Sequence, residues 1–169
     1  PLGKKIKDHS KYELRYSIFG CDLGKKGSIV IIPGRGEGSV EFYETAREFI
    51  NRGYSPIFVM DPRGQGLSPR LLDLQKGHVE NFNHYISDFE YMVKNVKAYL
   101  QEIGGDKSSL FYLSNSMGAG IGLGYFMRNT KTPFKAAAML GPMIRINYLA
   151  FNNKKPTWFN NLLYSENGA

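Results

Sequence analysis

The residues with the clearest chemical meaning are Ser108-Ser109-Leu110-Phe111-Tyr112-Leu113-Ser114-Asn115-Ser116-Met117-Gly118-Ala119-Gly120. Leu110 to Leu113 is a short apolar run that reads as a buried strand. Small residues follow at once, and Ile121 to Met127 resumes an apolar pattern that can be helical. A strand, a turn crowded with small residues and a helix form the setting that lifts a serine hydroxyl out of a sheet. Ser116 stands at that turn and is the candidate nucleophile. The helix behind it would direct its first N–H groups at whatever lies over Ser116, favouring negative charge that develops there. The spacing is S-x-S-x-G, with Ser114 where the usual elbow has a glycine. The same residues also suit a plain strand–loop–helix connection, so other stretches have to decide.

Pro33-Gly34-Arg35-Gly36-Glu37-Gly38 is the second such stretch. It follows a β-branched run and can turn backbone N–H groups inward. Acyl transfer needs such donors for an oxyanion hole, the other donor coming from the residue after the nucleophile. A phosphate loop is the rival idea, because Gly34, Gly36 and Gly38 alternate. The stretch fits neither G-x-G-x-x-G nor a Lys-Ser/Thr ending.

The elements that must position these loops follow from periodicity. Tyr12 to Phe19 alternates weakly and reads as a strand, with a polar turn from Gly20 to Gly27. Ser28-Ile29-Val30-Ile31-Ile32 reads as a buried central strand. Val40 to Arg52 places Phe42, Tyr43, Ala46, Phe49 and Ile50 on one helical face, and Gly53 stops it. Ser55 to Met60 is the next strand, ending in the turn-rich loop Asp61-Pro62-Arg63-Gly64-Gln65-Gly66-Leu67-Ser68. Phe82, Tyr85, Ile86, Phe89, Met92, Val93, Val96, Leu100 and Ile103 keep helical spacing up to Gly104-Gly105. Ala136 to Leu140 reads as another buried strand, closed by Gly141-Pro142. Alternating strands and helices predict an α/β fold, a doubly wound, mostly parallel sheet. Ligands bind such sheets beyond the carboxyl ends of the strands. The loops 33–38, 61–68 and 114–118 should therefore converge on one crevice.

The chain has 169 residues, 42% of them hydrophobic, enough for one domain with a real core. One cysteine, Cys21, excludes an internal disulfide framework and a cysteine metal cluster. Net charge is +7, and residues 1–26 hold seven basic side chains against three acidic ones. That excess suits an anionic lipid surface, a nucleic acid or simply a solvated basic face. No nucleic-acid motif accompanies it. Peripheral contact with an anionic membrane is one partner expectation, with no nucleic acid; the compartment is left open, the cytoplasm or a membrane surface being favoured.

Taken together, Pro33-Gly34-Arg35-Gly36-Glu37, the loop Asp61 to Ser68, Gly77-His78-Val79 with Phe82, Tyr85 and Asp88, and Asn115-Ser116-Met117-Gly118 carry a family likeness. In order and spacing the sequence resembles the α/β-hydrolases of the monoacylglycerol lipase and bacterial lysophospholipase group, over roughly residues 12–145. The bacterial lysophospholipases are nearer, since they too tend to carry Pro-Gly-Arg where the lipases have His-Gly. The resemblance implies Ser116 as nucleophile and the backbone N–H groups of Arg35 and Met117 as oxyanion donors. It implies a lipid-like acyl ester as substrate, no cofactor and no metal. Asp61-Pro62-Arg63-Gly64 would be a structural loop. Glu37 and Arg63 are candidates for a pair across the crevice mouth or for solvated positions. The family base lies far downstream, so His78 is expected to pack at the start of the long helix, with Asp88 outside the triad; His9 and His84 are surface candidates. Ser114, Asn115 and Ala119 depart from the family elbow.

After Ser116 the sequence contains no Asp and no His. Family order places both there, and a serine without a base is a poor nucleophile. Two expectations follow. Residues 1–142 are the N-terminal half of a hydrolase core and 143–169 the start of a cap. The acid and base belong to a C-terminal half of the same protein, which would also cover the apolar strand 136–140, whose open edge would otherwise template association. The alternative is a non-catalytic hydrolase-like binding protein or an inactive fragment.

Overall fold

The computed structural model describes residues 2–7 through their backbone, and residues 13–72, 77–105 and 108–144 in full. Six strands form one sheet in the order β1-β2-β4-β3-β5-β6. They are β1 (Leu2–Lys7), β2 (Glu13–Phe19), β3 (Gly27–Ile32), β4 (Tyr54–Asp61), β5 (Leu110–Asn115) and β6 (Phe134–Leu140). The helices are α1 (Tyr43–Asn51), α2 (Phe82–Glu102) and α3 (Ser116–Arg128), with a 3-10 turn at Ser39–Phe42 leading into α1. The pairs β3–β4, β3–β5 and β5–β6 are parallel, while β1–β2 and β2–β4 are antiparallel. This is the doubly wound, mostly parallel sheet that the alternating pattern predicts.

The apolar runs explain why β3 and β4 are central. Successive side chains of a strand point to opposite faces, so a continuous run feeds two cores. Val30, Ile32, Phe58, Met60 and Tyr112 face the core shared with α2 and α3. Ile29, Ile31, Ile57 and Val59 face the other core, where Ala46 of α1 is buried and Phe49 and Ile50 pack alongside. The helix α2 buries Phe82, Tyr85, Ile86, Phe89, Met92, Val93, Val96 and Leu100, the stripe its spacing predicts. Asn81 caps it, its side chain accepting from Asn83 N at 2.9 Å.

Register sets the site. Ile32, the last residue of β3, lies opposite Ser114 of β5. The loop that leaves β3 therefore starts beside Asn115 and Ser116. Ile31 lies opposite Val59, so the loop leaving β4 at Asp61 emerges at the same edge.

Three expectations change. The strand β1 has no counterpart in the sequence reading. The helix predicted from residue 40 begins as a 3-10 turn, and Val40 and Tyr43 are exposed. The run read as a buried strand, residues 136–140, lies at the sheet's edge: Ala136, Ala137, Ala138 and Leu140 are exposed. Among the described residues β6 has a neighbour on one side only, β5, which leaves an apolar strand uncovered. Of the expected cap stretch, Met143 and Ile144 are described; the rest, 145–169, lies outside the described residues, as do His9, Lys11 and Tyr12. No described helix is long and apolar enough to cross a membrane.

Candidate active site

The β5–α3 junction carries Ser116 in a conformation that few side chains adopt. Its φ is +48°, and among the described residues no other non-glycine has a positive φ. Such a backbone costs about 1–3 kcal/mol and persists only where its surroundings hold it. Three contacts do so. The buried Tyr112 hydroxyl donates to Gly118 O at 2.7 Å. Met143 N donates to Ser116 O at 3.0 Å. Gly118 presses against the end of β3 so closely that a methyl group there would collide with the carbonyl oxygens of Ile32 and Pro33. The result is a serine that is exposed while Met117, Gly118 and Ala119 behind it are buried.

The amides of the first turn of α3 are available. Met117 is the second residue of the helix, and N–H groups of a first turn have no intrahelical partner. Asn115 occupies the cap position but makes no capping hydrogen bond. Its side chain instead donates to Glu37, at 3.3 Å to Oε1 and 3.2 Å to Oε2.

That bond ties the elbow to the β3 loop. Glu37 Oε2 also accepts from Gly34 N at 2.7 Å. A methyl group on Gly34 would lie 3.4 Å from Ser116 Cβ, so the loop backbone runs directly alongside the serine. Gln65 Nε2 holds the same loop from the other side, donating to Gly34 O at 2.9 Å and to Glu37 O at 3.0 Å. Arg35, next to Gly34, is exposed, and its Nη2 donates to Gly77 O at 2.9 Å.

The β4 loop is the buttress. The carboxylate of Asp61 is buried and accepts from Ser39 N at 2.5 Å and Leu67 N at 3.1 Å. Ser68 Oγ donates to Asp61 O at 2.5 Å and accepts from Arg15 N at 2.9 Å. Arg63 donates to Asp88 twice, Nε to Oδ2 at 2.6 Å and Nη2 to Oδ1 at 2.5 Å, locking the loop to α2. The three loops are thus tied to one another, Gln65 of the β4 loop and Asn115 of the elbow both bonding to the β3 loop.

Ser116, Met117 and the Gly34–Arg35 backbone are thus brought together. Other candidates move. Arg63 pairs with Asp88, not with Glu37, because Glu37 is turned inward onto the elbow. Asp88 sits in this buried pair. The side chain of His78 is exposed, and the buried neighbour that packs at the helix start is Val79. His84 is half-buried rather than on the surface, its buried Nδ1 having no hydrogen-bond partner among the described residues. Among the described residues no side chain hydrogen-bonds to Ser116 Oγ, and no group of His, Cys, Asp and Glu could hold a metal ion. The tethers Gln65 and Asn115 escaped the sequence reading. A glutamine flanked by Gly64 and Gly66, in a loop already short of side chains, was the available signal.

Residues 24–165 match the family described as serine aminopeptidase, S33. The chain belongs to this family. It places the chain among the α/β-hydrolases, in agreement with the lysophospholipase and monoacylglycerol lipase resemblance. The chain is 30% identical over 118 residues to the probable lysophospholipase L2 of Haemophilus influenzae, an alignment covering 70% of this chain and 35% of that protein. It is 34% identical over 120 residues to lysophospholipase L2 of Escherichia coli K12, covering 70% of this chain and 33% of that protein. The chain thus spans about a third of the length of these curated relatives. In three dimensions it resembles a soluble variant of the monoglyceride lipase of Saccharomyces cerevisiae, solved with a substrate analogue. The TM-score is 0.72 at 23% identity, covering 91% of this chain and 48% of that one. An esterase from Exiguobacterium antarcticum matches with a TM-score of 0.64 at 18% identity, covering 83% of this chain and 46% of the esterase.

Proposed function

We propose that this chain carries the nucleophile and the oxyanion hole of a serine ester hydrolase acting on lipid-like acyl esters, lysophospholipids or monoacylglycerols. The observation that carries the reading is Ser116. It is exposed at a positive φ between β5 and α3, with the Gly34 backbone packed beside it. In this reading Ser116 Oγ attacks the ester carbonyl. The N–H groups of Met117 and Arg35 hold the negative charge that develops on the carbonyl oxygen. The alcohol leaves, and water releases the fatty acid from Ser116. The proton of Ser116 passes to a general base, and residues 117–169 contain neither Asp nor His to serve as one. The names of the relatives support a lipid ester rather than a peptide as substrate.

A second reading, a hydrolase-like protein that binds without reacting, draws on the Ser116 hydroxyl having no described hydrogen-bond partner. Hydrolysis separates the two. The full-length protein should release fatty acid from lysophospholipid or monoacylglycerol, and Ser116→Ala should lower the rate about a thousandfold or more. Tight binding of these lipids with no release of fatty acid would establish the second reading and overturn the first.

A further inference from the structure

Arg35 has a feature that an oxyanion-loop residue does not need: an exposed cation that pairs with no carboxylate among the described residues. Its side chain is rooted one residue from Gly34, which packs on Ser116. Its guanidinium is held in place by the bond from Nη2 to Gly77 O, 2.9 Å. Gly77 is itself wedged in, a methyl group there lying 3.3 Å from Gly64 O and 3.9 Å from Arg35 Nη2. Among the described residues one of its five donors is used. No carboxylate among the described residues pairs with it. Glu37, two residues on, is committed to Gly34 N and to the Asn115 amide. The other arginine of these loops, Arg63, is buried and neutralised by Asp88. Among the described residues Arg35 is therefore the exposed arginine of these loops. Ordering an arginine on the surface costs rotamer freedom, and a neutral substrate would return nothing for it. An ordered guanidinium fork is suited to a phosphate, whose oxygens it can meet with two parallel hydrogen bonds.

We propose that the Arg35 side chain binds the phosphodiester of the substrate's head group, making this site selective for lysophospholipids over monoacylglycerols. The inference rests on the lipid-ester reading above and narrows it. In a lysophospholipid a glycerol unit separates the scissile ester from the phosphate. With the carbonyl over Ser116, the leaving alcohol carries the anion to the loop that also supplies the oxyanion donor. One short segment then does two jobs, its backbone facing the reacting oxygen and its side chain the head group.

Binding of unreactive ether lipids tests this without depending on catalysis. Full-length protein carrying Ser116→Ala is titrated with a short-chain alkyl glycerophosphocholine and with the alkylglycerol of the same chain, both below micelle formation. The phosphate-bearing ether should bind about tenfold or more tightly than the neutral one. Arg35→Gln should bring the two within about twofold, and Arg35→Lys, which keeps the charge but not the fork, should keep part of the preference. A ratio unchanged by Arg35→Gln would overturn the assignment and leave the ester-hydrolase reading standing. Failure of both ethers to bind would overturn the lipid-ester reading and the assignment together.

Discussion

Replacing Asp88 with alanine should unfold this protein far more easily than its position on a regular helix suggests. Asp88 is fully buried, and Arg63 is 6% exposed. Their two hydrogen bonds, 2.6 and 2.5 Å, satisfy a guanidinium that water barely reaches. Removing the carboxylate takes away the bidentate counter-charge of a buried guanidinium, which costs about 3–5 kcal/mol. A whole domain has only about 5–15 kcal/mol to lose. At about 2–4 °C per kcal/mol for a chain of this size, the melting temperature should fall by about 6–20 °C. Arg63→Met in the same background should recover part of the loss, because it removes the buried charge that has lost its carboxylate and leaves a side chain that packs. Circular dichroism melts of the wild type, both single variants and the double variant give the full cycle. An Asp88→Ala loss below about 1 kcal/mol, or losses that simply add, would refute the reasoning. The pair also clamps the β4 loop on which Gln65 rides, so the same variant should slow acylation of Ser116.

Gly118→Ala should damage both fold and site, because the new methyl group meets the Ile32 and Pro33 carbonyl oxygens; retained wild-type stability and reactivity would show that α3 can shift freely. Alkaline pH should weaken the fold. Burial, with smaller contributions from Tyr99 and Glu102, pushes the Tyr16 phenol from 10.0 up to about 12. The buried phenol is held neutral, so its contribution is whole below pH 10 and is lost as pH rises towards and through 12. Denaturant melts of Tyr16→Phe should therefore fall less steeply over that range than those of the wild type. Parallel pH profiles would contradict the assignment.

How far the sequence could lead is clearest from single residues. Ser116 was legible because the turn it occupies tolerates little bulk, and Gly118 and Ala119 advertise that constraint. The strands β3 and β4 were legible because a strand covered on both faces has no polar alternation to hide it. At β6 the same rule located the strand but not what covers it. Three consecutive alanines look interior, yet they stand on an edge strand with one described neighbour. The strand β1 was hidden by its composition: Lys4, Lys5 and Lys7 interrupt any apolar pattern, as charges on an edge strand commonly do. The partner of Arg63 was the hardest to see, since pairing joins a loop to a helix 25 positions on. A signal existed in the spacing, for Asp88 falls on the stripe of Tyr85, Phe89 and Met92 that faces the core. The link from Asn115 to Glu37 left no such trace, because both residues also suit exposed loops.

Ser116 is the residue on which the proposed chemistry depends. The full-length protein should be treated with a fluorophosphonate bearing an alkyl chain, digested, and its labelled peptide sequenced by mass spectrometry. One covalent adduct at Ser116 is the predicted result, with no labelling of the Ser116→Ala variant. Labelling that persists in that variant, or an adduct on another serine such as Ser114, would contradict it.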